Sequence, residues 1–184
     1  MISMKKIIDA KKENINQLAA LFAKGFIKDP LFCHYIPYEE EREGILYQIF
    51  LKYLTDCWDF LHVIQSEDGG AALCIYPPEG DPVDRVILSP SVQKVYEQIC
   101  QSAAPLFYED FYTLDLLSVA KEQRGKGYAR ALVEAFIAEC KKAGKKGVVE
   151  IYNPHNVDFY EKLGFKLAHI HPIGETLSAY LLEV

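Results

Sequence analysis

Gln123-Arg124-Gly125-Lys126-Gly127-Tyr128-Ala129 sets two cations and two glycines in one short stretch, directly ahead of a run with helical apolar spacing. That is the chemistry of an anion site. Glycine tolerates positive φ and lets a ligand approach the backbone. The first N–H groups of a helix have no intrahelical partner and lie at the positive end of its dipole, so they converge on a phosphate. An ordinary tight turn carrying a solvated Arg-Lys pair would read the same way if the loop stood alone.

The flanking elements decide what the loop can do. Tyr112 to Val119 reads as a strand, Ala120 to Lys126 as a tight loop, and a helix opens at Gly127. Ala129, Leu132, Val133, Phe136, Ile137 and Cys140 then follow i, i+3, i+4, i+7, i+8, i+11, the stripe of a helix lying on a sheet. Gly144 is its expected left-handed terminator, with Lys141, Lys142, Lys145 and Lys146 at the negative end of the dipole. A second strand around Val148 should be parallel to the first, through a right-handed crossover. A triphosphatase P-loop does not fit, because Tyr128 stands where Lys-Ser/Thr is required, and a dinucleotide fingerprint does not fit, because its third glycine position is Arg130.

The pattern that remains, Arg124-x-x-Gly127-x-Ala129, resembles the R/Q-x-x-G-x-G/A pyrophosphate loop of the GNAT acetyltransferase superfamily. Further on, Val148-Val149-Glu150-Ile151-Tyr152-Asn153 and Tyr160-Glu161-Lys162-Leu163-Gly164-Phe165 resemble that family's second signature: a strand, an Asn, a short helix and Tyr-Glu-Lys-x-Gly-Phe. The resemblance is strong from Tyr112 to Phe165 and weaker outside. It implies an α/β (α+β) fold: a central mixed, mostly antiparallel sheet with helices on both faces and a parallel, splayed strand pair in the middle. It also implies acetyl-CoA as cofactor and transfer of acetyl to a primary amine by direct attack on the thioester. The one departure is Ala129 where many members carry Gly, which the family pattern allows.

Carried over residue by residue, the resemblance assigns Leu117, Ser118 and Val119 to pantetheine, with a backbone N–H near Leu117 facing the thioester oxygen. Arg124, Gly125, Lys126, Gly127, Tyr128, Ala129 and Arg130 fall to the pyrophosphate. Tyr160 matches the general-acid tyrosine and a cofactor contact; packing against Phe165 is its alternative reading. Asn153 matches the cofactor-contacting asparagine, and Asn156 would serve instead or cap the short helix. Asp115 and Glu150, one in each splaying strand, are the candidate bases for an amine that is protonated at neutral pH. Each is also readable as a residue that orients the acceptor or forms an ion pair. A domain that binds acyl-CoA without turnover, as sensor or scaffold, is the alternative function.

Composition narrows the rest. The chain has 184 residues, half of them hydrophobic, enough for one domain spanning 1–184, with the cofactor core at about 112–166 and acceptor-side elements at about 1–110. No apolar run reaches the roughly 18 to 20 residues of a membrane span, and Met1 to Lys12 is too charged for a signal peptide, so a soluble cytoplasmic protein is expected. Cys33, Cys57, Cys74, Cys100 and Cys140 form no CxxC pair, so no metal knuckle or disulfide framework is expected. A net charge of −6 argues against a nucleic-acid partner and mildly favours a cationic acceptor. The expected partner is a small-molecule or peptide amine, and the expected state a monomer or homodimer.

The acceptor side carries no comparable motif. Lys5 to Ala10 reads as a strand, and a helix opening at Asn14 or Glu13 runs to about Lys28, stopped by Asp29-Pro30. Leu31 to Tyr38 reads as an aromatic loop, either core plug or acceptor wall, with Phe32, His34 and Tyr35 as the substrate-side candidates. Glu39 to Trp58 reads as a helix with an acidic first turn, and Leu61 to Gln65 and Ala71 to Tyr76 as a hairpin around Glu67-Asp68-Gly69-Gly70. Glu79 to Pro105 is an excursion holding a helix from about Ser91 to Ser102. Phe165 to Ile170 and Leu177 to Val184 close the chain around Pro172-Ile173-Gly174.

Overall fold

A computed structural model describes residues 6–103 and 110–184. Seven strands, β1 (Ile7–Asp9), β2 (His62–Ser66), β3 (Ala71–Tyr76), β4 (Phe111–Val119), β5 (Lys146–Ile151), β6 (Lys166–Ile173) and β7 (Leu177–Glu183), form one sheet in the order β1-β2-β3-β4-β5-β7-β6. Every neighbouring pair is antiparallel except β4 and β5. The helices are α1 (Ile15–Phe26), α2 (Pro30–Tyr35), α3 (Glu39–Cys57), α4 (Pro90–Ala103), α5 (Tyr128–Ala143) and α6 (Val157–Glu161). Lys5, Ala104 and Pro105, assigned to elements from the sequence, lie outside the described residues. No described helix is long and apolar enough to cross a membrane.

Strand alternation divides the core into two layers. On β3, Ala72 and Cys74 face α1, α2, α3 and α4, while Ala71, Leu73 and Ile75 face α5 and α6. The expected stripe of α5 buries Leu132, Val133, Phe136 and Cys140 in the second layer, and Gly144 closes the helix at φ 65°.

Strand β4 changes phase partway along. Cys74 pairs with Leu116 but Ile75 pairs with Leu114, so Asp115 is an extra residue in the strand, a β-bulge. The one-residue slip turns Leu114 into the α5 layer and Leu116 into the α1 layer. Pairing with β5 ends at Leu114–Val149, just before the bulge, while Glu150 and Ile151 continue on β7. Beyond that point β4 and β5 part.

Helix α1 seats directly on the bulged strand. Ser118 Oγ donates to Leu21 O at 3.1 Å, and a Cβ on Gly25 would fall 2.0 Å from Ser118 Oγ. Only glycine permits that approach.

Three sequence expectations need correction. The aromatic segment after Asp29-Pro30 is not a loop: Asp29 accepts the Leu31 N–H at 3.0 Å and Pro30 takes the first helical position, which starts α2 instead of merely ending α1. The buried Arg42 then fixes this corner by donating to the carbonyls of Ile27, Ile36 and Pro37. Pro172 and Ile173 belong to β6, not to the turn, which follows at Gly174; β6 is the sheet's edge, where proline's missing donor costs no ladder bond. Finally β5 begins at Lys146, two residues before Val148.

Candidate active site

The glycine loop has the form expected of an anion cradle. Gly125 and Gly127 both lie in the left-handed region, at φ 72° and 85°, and the space where their side chains would project is open. Gly127 is the N-cap of α5 and offers no side chain to the first-turn N–H groups. Around them Val119, Gln123, Arg124, Tyr128, Ala129, Arg130 and Phe159 line a concavity of about 330 Å³. Arg124 Nε donates to Val119 O at 3.2 Å and forms no ion pair with a described residue. Lys126 is held off to one side, donating to Gln123, which in turn donates to Asp68 of the β2–β3 turn. These residues fit a diphosphate: donors, open backbone and a guanidinium without an ion-pair partner among the described residues.

From this cradle a cavity of about 650 Å³ runs inward, sharing Val119, Arg124, Ala129 and Phe159 with it. It passes through the opening between β4 and β5, lined by Leu114 to Val119 and Val149 to Tyr152. Its far end is walled by Phe26, Phe32, Phe50, Tyr53, Tyr96 and Ile99.

Three carboxylates face this space. Asp115 sits on the bulge, deep in the molecule yet bare to the cavity; burial raises its pKa, which the nearby Tyr53 hydroxyl partly lowers. That hydroxyl is buried and meets no partner at hydrogen-bond geometry among the described residues. Glu150 accepts from the Tyr152 hydroxyl, and burial raises its pKa to about 7, reinforced by the charge of Asp115. Asp29, the α2 cap, is pushed up to about 6 by burial. Cys57 also lines the cavity, but burial raises its thiol to about 12, so it stays protonated and is no nucleophile.

Tyr160 is 5 % exposed, with its ring edge-on to Phe159 at 5.1 Å and Phe165 at 5.4 Å. It lines the cavity, and burial alone raises its pKa, so the hydroxyl keeps its proton. Tyr160 thus packs on Phe165 and also lines the cavity.

Asn153 Oδ1 accepts the His155 N–H at 3.1 Å and caps the turn, whereas Asn156 lies along the cavity. Of the three acceptor-side candidates only Phe32 reaches the cavity wall. His34 is exposed, and the Tyr35 hydroxyl bonds Ser102 Oγ, tying α2 to α4. Motif reading misses Asp29, Tyr53, Cys57, Tyr96 and Tyr152. The signal available for the helical ones was spacing: Tyr53 with Cys57, and Tyr96 with Ile99 and Cys100, recur on one face of α3 and α4.

Residues 92–167 match the family model described as acetyltransferase (GNAT) domain. No curated protein matches the chain. Among solved structures it is similar to a histone acetyltransferase HPA2 and related acetyltransferase from Corynebacterium glutamicum, at 14 % identity and a TM-score of 0.75 over 97 % of this chain and 94 % of that one. It is also similar to an N-acetyltransferase from Staphylococcus aureus, at 19 % identity and 0.58 over 99 % and 98 % of the two chains. A third is the ribosomal-protein-S18-alanine N-acetyltransferase from Escherichia coli, at 18 % identity and 0.58 over 98 % and 93 %. At these identities the likeness is one of fold. The family match itself is to the acetyltransferase (GNAT) domain and is confined to residues 92–167.

Proposed function

We propose that the protein acetylates a primary amine, with acetyl-CoA held in the cradle and in the opening between β4 and β5. The observation that carries this reading is the continuity of an anion cradle, an interstrand opening and a carboxylate-bearing cavity. Acetyl-CoA would supply the acetyl group activated as a thioester. Leu117, Ser118 and Val119 have no β5 partner past the bulge, which leaves that side of β4 available to pantetheine amides. The α5 N-terminus with Arg124 would hold the diphosphate, and Asn156 would line the path between.

An alkylamine with a pKa of about 10 arrives as an ammonium ion and must lose a proton before it can attack. Glu150, titrating at about 7, is matched to take that proton near neutral pH, with Asp115 beside it holding the ammonium. The freed nitrogen forms the C–N bond as the C–S bond breaks and sulfur leaves as thiolate. Tyr160, the protonated phenol in the wall, would donate a hydrogen bond to that sulfur. Because its pKa is raised, it serves as a donor more readily than as a source of a fully transferred proton.

The test is thiol release from acetyl-CoA across a panel of amines, with the products identified by mass. One thiol released per acetylated amine supports the reading. CoA binding with no amine acetylated would make the domain a non-catalytic acyl-CoA binder.

A further inference from the structure

The acceptor end of the cavity combines few charges with many rings. Phe26, Phe32 and Phe50 form a contiguous aromatic wall, with centroids 5.5 to 5.6 Å apart and two of the three contacts edge-on. Ile99, Tyr96 and Tyr76 extend it. Among the described lining residues the one cation is Arg124, which stands at the cradle.

The carboxylates are not equally available. Asp29 is committed to the α2 cap, and Glu150 accepts from Tyr152. Asp115, set deep in the fold, is faced by the Tyr53 hydroxyl, which lies outside hydrogen-bond geometry, and has no ion-pair partner among the described residues. It is displayed to the cavity by the bulge that ends the β4–β5 pairing. A carboxylate in that position asks for one cation.

We propose that the acceptor is an arylalkylamine: one primary ammonium group, seated on Asp115 beside Glu150, carried by an aromatic body that packs on the Phe26–Phe32–Phe50 wall. This inference rests on the acetyl-transfer reading. A polyamine would bring its further ammonium groups into an aromatic wall that offers them no free carboxylate, losing hydration without replacement. An amino acid would set its own carboxylate against Asp115 and Glu150 with no cation at that end to receive it. A peptide N-terminus would carry amide groups onto the Phe26–Phe32–Phe50 wall, whose side chains offer them no hydrogen-bonding partner. Rings, by contrast, gain from edge-on contact with rings as well as from burial.

Three amines separate these cases: 2-phenylethylamine, phenylalanine, which is the same body with an α-carboxylate, and spermidine. Two readouts are taken on the full chain. One is kcat/KM from acetyl-CoA thiol release, and the other is amine affinity by calorimetry with CoA present but no acetyl group to transfer. The expected result is a kcat/KM for 2-phenylethylamine about 100-fold or more above the other two, with the same order in affinity. Asp115→Asn should weaken 2-phenylethylamine binding by about 10-fold or more, while the affinity for CoA is unchanged. Turnover that is equal or better on spermidine or phenylalanine overturns the arylalkylamine assignment and leaves acetyl transfer standing. Preferential binding of 2-phenylethylamine without turnover of any amine upholds the pocket assignment and overturns acetyl transfer. Absence of both turnover and preferential binding overturns the assignment itself.

Discussion

Replacing Glu150 by Gln should make the protein more stable at pH 8 and leave it nearly unchanged at pH 4. Folding raises this carboxyl from an ordinary 4.5 to about 7, chiefly through burial. Below 4.5 the group is protonated in both the folded and unfolded chain and contributes no pH dependence. Between 4.5 and about 7 the unfolded chain ionises while the folded one still holds the proton, so stability falls as pH rises through that window. Above 7 both forms are charged, and the native state carries the full cost of a buried anion. At about 1.4 kcal/mol per pH unit the ceiling is about 3 kcal/mol, and solvent entering through the cavity reduces it to about 2 kcal/mol. Gln retains an acceptor for the Tyr152 hydroxyl, so the comparison isolates charge. Loss of the Glu150 charge also eases ionisation of Asp115, which adds to the variant's gain. The assay is urea denaturation of both proteins from pH 4 to pH 9. Curves that run parallel across the whole range would show that Glu150 is not held protonated by the fold, and its place as a base tuned to neutral pH would go with it.

Gly127→Val should abolish CoA binding in a calorimetric titration while the chain stays folded, because a β-branched residue resists φ 85° and projects into the cradle. Tyr160→Phe should lower turnover by about 10²-fold with little change in CoA affinity, since the ring contacts with Phe159 and Phe165 survive and only the hydroxyl is lost; full turnover would make the tyrosine a packing residue. Gly25→Ala should destabilise the fold by about 1 to 3 kcal/mol in denaturant, and pairing it with Ser118→Ala should recover part of that loss, because the clash is with the serine side chain.

The glycine-loop side of the fold was largely legible because its pattern is local. The positive-φ glycines, the stripe of α5 and the run from Val148 to Phe165 each depend on residues close together in the chain. The bulge at Asp115 was not legible in this way. It depends on which residue of β3 lies opposite, and Thr113-Leu114-Asp115-Leu116 reads as plain alternation until Ile75 and Cys74 are placed beside it. The aromatic wall of the cavity was less legible still, because Phe26, Phe50, Tyr53 and Tyr96 come from three helices that meet only through tertiary packing. His34 and Tyr35 were singled out for their polar atoms, but the short helix at Pro30 directs Leu31 and Phe32 to the cavity. Asn153 and Asn156 were separable only by hydrogen bonding, since an asparagine at either position can cap a helix.

Acetyl transfer by this chain requires that the opening between β4 and β5, with its glycine cradle, be a coenzyme A site and not a general anion site. Thermal denaturation with equal concentrations of acetyl-CoA, CoA, ATP and NAD tests that claim directly. The structure predicts a raised midpoint with acetyl-CoA and with CoA, growing with ligand concentration as expected for binding to the folded state alone, and no shift with ATP or NAD. Equal shifts with all four ligands would contradict it.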